Sequence, residues 1–274
     1  MDEIILGAVA YDAKVVTIWD GFRAWFAARD LPLDYILYTS YERQVDAQLR
    51  GELDVAWSSP LAWLQTEREA KRTGRTARAV LMRDTDRDLT SVIIVRAESP
   101  IHTLADLRGK RLAVGAADSP QATLIPLVVI AEAGVEPGRD LEVIRHDLLL
   151  GKHGDHIGGE REAVKALLAG TADAACILDG NRLAFTREGL LPAGYAVIHQ
   201  TPPYDHCNFT VLGDVPARFT ELLLAMSYED PVVRPLLDME GLKAWLPGRT
   251  SGYAQLERAV DRFETIEGWR ARAR

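Results

Sequence analysis

The segment His146-Asp147-Leu148-Leu149-Leu150-Gly151-Lys152-His153-Gly154-Asp155-His156-Ile157-Gly158-Gly159-Glu160 carries three of the chain's six histidines, a lysine and several carboxylates on a glycine-punctuated loop. A second concentration, Tyr204-Asp205-His206-Cys207-Asn208, adds imidazole, carboxylate and thiol. Together these groups can hold zinc, iron, nickel or copper, or pair a nucleophile with its base. His153 and His156 lack the i,i+4 spacing of a helical ligand pair and match no metal signature, so a metal would need further partners. Three readings of the loop stand side by side: direct ligand contact, metal binding, and a polar loop facing solvent. Cys207 divides between a small buried residue, a metal or ligand contact, and a nucleophile, whereas Cys176, inside an apolar strand, reads as core.

Two helix starts point to a different chemistry. Ser58-Ser59-Pro60 ends a strand, and Gly115-Ala116-Ala117 leads into Asp118-Ser119-Pro120; each places serine as N-cap and proline at the first helical position. A helix N-terminus offers N–H groups and about half a positive charge, so two such ends facing one cleft would suit an anionic or oxygen-rich ligand. The plain alternative is that Ser-Pro simply starts helices well.

The elements that must position these groups alternate between apolar strand-like runs and helical patterns, the signature of α/β architecture. The pattern Leu-x-Gly-x-x-Asp-x-Ala occurs as Leu49, Gly51, Asp54, Ala56 and again as Leu168, Gly170, Asp173, Ala175. In each copy an amphipathic helix stops at a glycine suited to the left-handed C′ position, and a short strand follows. Strands are predicted near 3–9, 33–38, 53–57, 77–83, 90–95, 111–115, 141–145, 173–178, 195–199 and 208–212. Helices are predicted over 15–29, 41–50, 60–72, 103–107, 120–133, 160–169, 180–189, 215–226, 229–236, 239–245 and 252–264. Residues 1–92 and 200–274 form the expected first lobe and 93–199 the second, with Thr201-Pro202-Pro203 a stiff return connector. Trp57, at a strand end, is expected near the cleft.

Composition narrows the function classes. The chain has 274 residues, 47% hydrophobic and 26% charged, which is ordinary globular protein able to build one large domain or two modest lobes. No run of 18 apolar residues exists, so no membrane span is expected. A net charge of −8 argues against nucleic acid or anionic membrane as the main partner. The first residues enter an apolar strand with no basic and apolar leader ahead of it, so the sequence as written predicts a cytoplasmic protein, or a periplasmic one if a leader has been removed.

The stretch Ser91-Val-Ile-Ile-Val-Arg-Ala-Glu-Ser-Pro-Ile-His-Thr-Leu-Ala-Asp-Leu-Arg-Gly-Lys-Arg-Leu-Ala-Val-Gly115, with Glu-Ala-Gly-Val-Glu-Pro-Gly beyond it, resembles the phosphonate/phosphite-binding family of ABC-transporter substrate-binding proteins. Gly7-Ala-Val-Ala-Tyr11, Leu53-Asp-Val-Ala-Trp57 and Ala172-Asp-Ala-Ala175 fall where that family has equivalents, so the resemblance covers about residues 4–230. It implies a type-2 periplasmic-binding-protein fold: two α/β lobes, two crossovers and a ligand cleft. It also implies ligand roles for Tyr41, Asp205 and, approximately, Asp179, and it brings Tyr204–Asn208, with His206, to the cleft. Other positions depart. A family tyrosine is Leu89 here, the family's Ser-Thr-Ser-Gly turn reads Ser119-Pro120-Gln121-Ala122, and a family histidine aligns with Glu160.

The expected function is therefore a small-molecule receptor closing on an anionic ligand through Tyr41, Ser58, Ser59, Ser119, Gln121, His153, His156, Glu160, Asp179, Asp205 and His206. Losing the family's hydroxyls leaves phosphonate itself open as the ligand. An ABC transporter permease is a partner if the chain is exported. The sequence requires no cofactor and leaves a transition metal open. The alternative is a cytoplasmic enzyme on the same fold, with His153 or His156 as base and Cys207 or Asp205 assisting.

Overall fold

A computed structural model describes residues 3–155, 157–192 and 194–263. In chain order the elements begin with β1 (Ile4–Val9), α1 (Lys14–Ala27), β2 (Leu33–Tyr38), α2 (Tyr41–Leu49), β3 (Val55–Ser58), α3 (Pro60–Arg72) and β4 (Arg78–Arg83). There follow β5 (Ser91–Arg96), β6 (Arg111–Val114), a π-helical turn Pro120–Leu124, α4 (Ile125–Glu132), β7 (Glu142–Arg145), α5 (Gly158–Leu168), β8 (Ala174–Leu178) and α6 (Asp179–Arg187). The last are β9 (Tyr195–Gln200), β10 (Asn208–Val211), α7 (Ala217–Leu224), α8 (Arg234–Glu240), β11 (Trp245–Pro247) and α9 (Ala254–Phe263).

These elements build two α/β units. One comprises Met1–Arg87 and Asp205–Tyr253, the other Asp88–Tyr204 and Ala254–Arg274. The chain thus passes between units five residues earlier and later than the expected boundaries of 92 and 200, and α9 groups with the second unit rather than with 200–253. The reason is visible within that unit. Arg258 reaches Glu132 at 3.0 Å, Arg262 pairs with Glu136, and Gln255 donates to the carbonyls of Pro202 and Pro203.

The first unit holds a sheet in the order β11-β4-β10-β3-β1-β2, in which β2, β1 and β3 are parallel and β10 runs antiparallel to β3. Helix α1 buries Val15, Ile18, Trp19, Phe22 and Phe26, a helical-period stripe, on this sheet. Trp57 lies in that core against Phe209, ring centroids 4.8 Å apart, and not at the ligand edge expected of it. The predicted helix 239–245 does not form. Gly241 takes φ 81° to end α8, and Trp245 turns into the same aromatic core on strand β11.

The second unit holds a sheet in the order β7-β6-β8-β5-β9. Along β5, Val92 and Ile94 enter one apolar cluster while Ile93 and Val95 enter another, so both faces are covered, as the near-continuous apolar run of this strand requires.

The octapeptide echo is a scaffold device used once per unit. Helix α2 ends in a Schellman motif, Gly51 N–H to Gln48 O at 3.0 Å and Glu52 N–H to Ala47 O at 3.0 Å; α5 repeats it with Gly170 to Leu167 at 3.2 Å and Thr171 to Ala166 at 3.0 Å. The two glycines sit at φ 77° and 73°. Each aspartate then staples its strand to the amino end of a parallel neighbour: Asp54 Oδ2 accepts the Ile5 N–H at 2.7 Å and Asp173 Oδ2 the Arg111 N–H at 2.9 Å. Ligand chemistry in open α/β sheets belongs to the opposite, carboxyl edge.

Candidate functional site

In the first unit the chain turns from β2 to β3 across β1, and α2 and α3 start at the carboxyl edge so formed. Ser59 caps α3 as its sequence predicts, its Oγ accepting the Ala62 N–H at 3.1 Å. Tyr41 opens α2 and is buried with Val9, Val45 and Ala62. Gln44 ties α2 to the same edge by donating to Trp57 O at 3.0 Å. The Ser58 hydroxyl is fully buried there and has no hydrogen-bond partner among the described residues.

Asn208 lies opposite Ser58 in the β10–β3 ladder, so Asp205, His206 and Cys207 emerge at this edge too. The Asp205 carboxylate receives Arg249 on both oxygens, at 2.6 and 2.5 Å, and is wholly buried. Tyr253 donates to His206 O and accepts from Asn208 Nδ2, each at 2.8 Å. Beneath lies a cluster of Asp86, His206 and Cys207, three potential metal ligands within 4.8 Å of one another. Arg83 binds both Asp86 oxygens, at 2.5 and 2.9 Å, and also reaches Glu240. Burial pushes the Asp86 carboxyl up, but the Arg83 charge and hydrogen bonds from His206 and Arg83 outweigh it and hold its pKa at about 2. A guanidinium already occupies both Asp86 oxygens. The cluster is no catalytic relay either: the same ring nitrogen, His206 Nδ1, lies 3.1 Å from Cys207 Sγ and 3.5 Å from Asp86 Oδ1, whereas a nucleophile–base–orienter chain uses both nitrogens.

In the second unit Ser119 Oγ accepts the Ala122 N–H at 3.2 Å, but the turn it starts is π-helical, so the predicted helix 120–133 is regular only from Ile125. The histidine loop packs onto this turn. Gln121 donates to Gly154 O at 2.7 Å, Asp118 accepts the Gly151 N–H at 2.6 Å, and Asp147 accepts the Ala117 N–H at 2.8 Å. Gly154 takes φ 80°, and a Cβ there would lie 2.6 Å from Gln121 Nε2 and collide with Ser119 Oγ. His153 is fully buried at φ 49°, and desolvation pulls its pKa down to about 3, so the imidazole is neutral.

The other expected site residues of this unit are committed elsewhere. Glu160 accepts from Leu178 N–H at 2.9 Å and Asn181 Nδ2 at 3.0 Å, closing the start of α6, and Asp179 pairs with Arg182 at 2.5 Å. His156 lies outside the described residues. Sequence reading missed Tyr204 as a structural hydroxyl. It bridges Leu89, backbone to backbone at 2.8 Å, and its hydroxyl meets Ser91 Oγ at 2.6 Å, which in turn donates to Gln121 O at 2.6 Å. Only the Tyr204 backbone lies across from Leu89; its hydroxyl is spent on Ser91. Arg249 was missed as well, since nothing local marks it as the partner of a residue 44 positions away.

A family model for the ABC transporter phosphonate periplasmic substrate-binding protein matches residues 8–253. The chain belongs to this family. It is therefore a substrate-binding receptor of the phosphonate ABC transporter type, and the enzyme alternative has no support. Among curated relatives, a probable ABC transporter phosphite binding protein, PhnD1, of Prochlorococcus marinus (strain MIT 9301) is 21% identical over 245 residues, covering 83% of this chain and 77% of the relative. PhnD1 from that organism, solved in complex with methylphosphonate, superposes with a TM-score of 0.69 at 18% identity, covering 96% of this receptor and 98% of that chain. XAC2383 from Xanthomonas citri, bound to ATP, gives a TM-score of 0.72 at 18% identity over 95% of this receptor and 99% of that chain. The receptor shares the two-lobed periplasmic-binding-protein fold. Among the described residues, no helix is long and apolar enough to cross a membrane.

Proposed function

We propose that the ligand is a small phosphoryl oxyanion of the phosphonate or phosphite kind, delivered to a transporter permease after export of the receptor to the periplasm. The observation that carries this reading is the Ser58 hydroxyl, buried with no partner among the described residues at the carboxyl edge of the first sheet, directly before the capped start of α3. A buried donor left unmade costs about 1–3 kcal/mol, which a ligand oxygen accepting from it would recover. The α3 terminus adds a favourable field for negative charge. The ligands named for the Prochlorococcus relative, phosphite and methylphosphonate, support the same class. In the first unit Tyr41 and Ser59 flank Ser58. The Ser119 turn of the second unit is already covered by the chain's own loop through Gln121 and Gly154. Glu160 and Asp179 are engaged with the start of α6.

Titration calorimetry with methylphosphonate, phosphite and phosphate tests the reading. At least one should bind with a Kd in the micromolar range or tighter, and Ser58→Ala should weaken it by about tenfold, the value of one charge-assisted hydrogen bond. No heat with any of the three, or full affinity in Ser58→Ala, rejects it.

A further inference from the structure

Asp205 is an expected ligand group whose chemistry the structure changes in kind. A bare carboxylate at the carboxyl edge of the first sheet would offer acceptor lone pairs and a negative charge, inviting an ammonium and repelling an oxyanion. Here Arg249 lies fork-to-fork on it, Nε at 2.6 Å and an Nη at 2.5 Å. The Asp205 side chain has no exposed surface, while that of Arg249 keeps a third of its own. The Asp205 N–H is spent on Gly252 O at 3.0 Å, and the backbone of Gly252 lies so close that any Cβ there would collide with the carboxylate. Tyr253, next along, packs its ring 5.9 Å from that of Trp63 in the first turn of α3, fixing the Arg249–Tyr253 segment to the helix start beside Ser59. The edge therefore presents guanidinium in place of a bare carboxylate.

We propose that Arg249 seals Asp205 and thereby makes this receptor select an oxyanion that carries no ammonium group. This rests on the ligand reading above and narrows it: alkyl-type phosphonates, and not amino-bearing ones, are the class admitted. Arg249 is a specificity-determining residue because an ammonium brought to this edge meets a cation instead of an anion.

Propylphosphonate and 2-aminoethylphosphonate test this, since they share shape and differ in CH3 against NH3+. In titration calorimetry the wild-type protein should bind propylphosphonate at least about tenfold more tightly, and Arg249→Met, which bares the carboxylate, should narrow or reverse that ratio by about tenfold. Equal affinities in the wild type, or an unchanged ratio in the variant, overturn the proposal. Should Arg249→Met fail to fold, Asp205→Asn decides. The sealed carboxylate predicts no selective effect, whereas a loss of 2-aminoethylphosphonate binding that spares propylphosphonate means that Asp205 receives the ammonium and the proposal is wrong. If the wild type binds neither phosphonate, the phosphonate reading fails by itself, and the same ratio is measured with propanesulfonate and 2-aminoethanesulfonate. Absence of binding there too overturns the proposal.

Discussion

Two Ser-Pro turns open helices at the carboxyl edges of the two sheets, and the same dipeptide meets different fates. At Ser59-Pro60 the helix is regular for thirteen residues and the preceding serine keeps a buried hydroxyl unmatched among the described residues, in a unit that also holds two charged clusters, Arg83–Asp86–Glu240 and Asp205–Arg249. At Ser119-Pro120 the helix begins with a π-turn, and the chain's own loop lies on it through Gln121 and Gly154. The capping bond is the same in both. What surrounds it differs: a hydroxyl left unmatched among the described residues at the first turn, the chain's own loop at the second.

The largest effect should come from the charged clusters of the first unit. Asp86→Asn removes one carboxylate of a buried cluster and leaves Arg83 with Glu240 alone, which should cost about 3 kcal/mol in urea unfolding, the low end for breaking a buried pair. A loss below about 1 kcal/mol would show that the network contributes little and that the contrast between the turns is one of shape alone.

The covered turn should fail differently. Gly154→Ala combines a left-handed backbone at φ 80° with a collision against Ser119 and Gln121, an expected loss of about 2–4 kcal/mol. Gly170→Ala, at φ 73° with open space around it, carries only the backbone term of about 1–2 kcal/mol. Equal losses would mean that the loop does not pack on the turn.

Acid separates the two regions again. His153 is neutral in the fold with a pKa of about 3 against 6.5 in a free chain, so below pH 6.5 the unfolded state takes up a proton that the folded state refuses. Stability is full above pH 6.5 and falls by up to about 1.4 kcal/mol per pH unit down to pH 3. Asp86, with its folded pKa at about 2 against 3.8, contributes stability that is intact above pH 4 and lost only between about pH 4 and 2. Thermal unfolding between pH 7 and 5 should therefore be steeper for the wild type than for His153→Asn, a substitution that keeps the left-handed backbone accessible. Parallel curves would place His153 in water.

How much of this was legible in the sequence follows from the range of each interaction. The Schellman glycines, Ser59 and Ser119 act within five residues, so spacing alone revealed their structural roles. The family resemblance led to the fold for the same reason: its motifs are strand and turn signals. The site was less legible. Asp205 was chosen by alignment, but its partner is 44 residues distant, and Gln121 and Gly154 meet across 33. Trp57 misleads because a strand end reads as an edge, while Phe209 on β10 and Trp245 on β11 pack on its ring.

The smallest predicted effects bear most directly on function, because they set two adjacent serines against each other. Ser59→Ala deletes the cap on α3 and should cost about 1 kcal/mol of stability. Ser58→Ala deletes a buried hydroxyl that satisfies nothing in the ligand-free protein, so its removal should be neutral or stabilising by up to about 1 kcal/mol. The signs should therefore oppose in thermal unfolding without ligand. With saturating methylphosphonate the order should change, since ligand binding to the folded state raises stability by RT ln(1 + [L]/Kd) and Ser58→Ala weakens Kd. The melting gain on adding ligand should be smaller in Ser58→Ala than in Ser59→Ala. If both variants lose stability alike without ligand and gain alike with it, Ser58 is an ordinary core hydroxyl, and the open terminus of the first unit differs from the covered one of the second only in its neighbours.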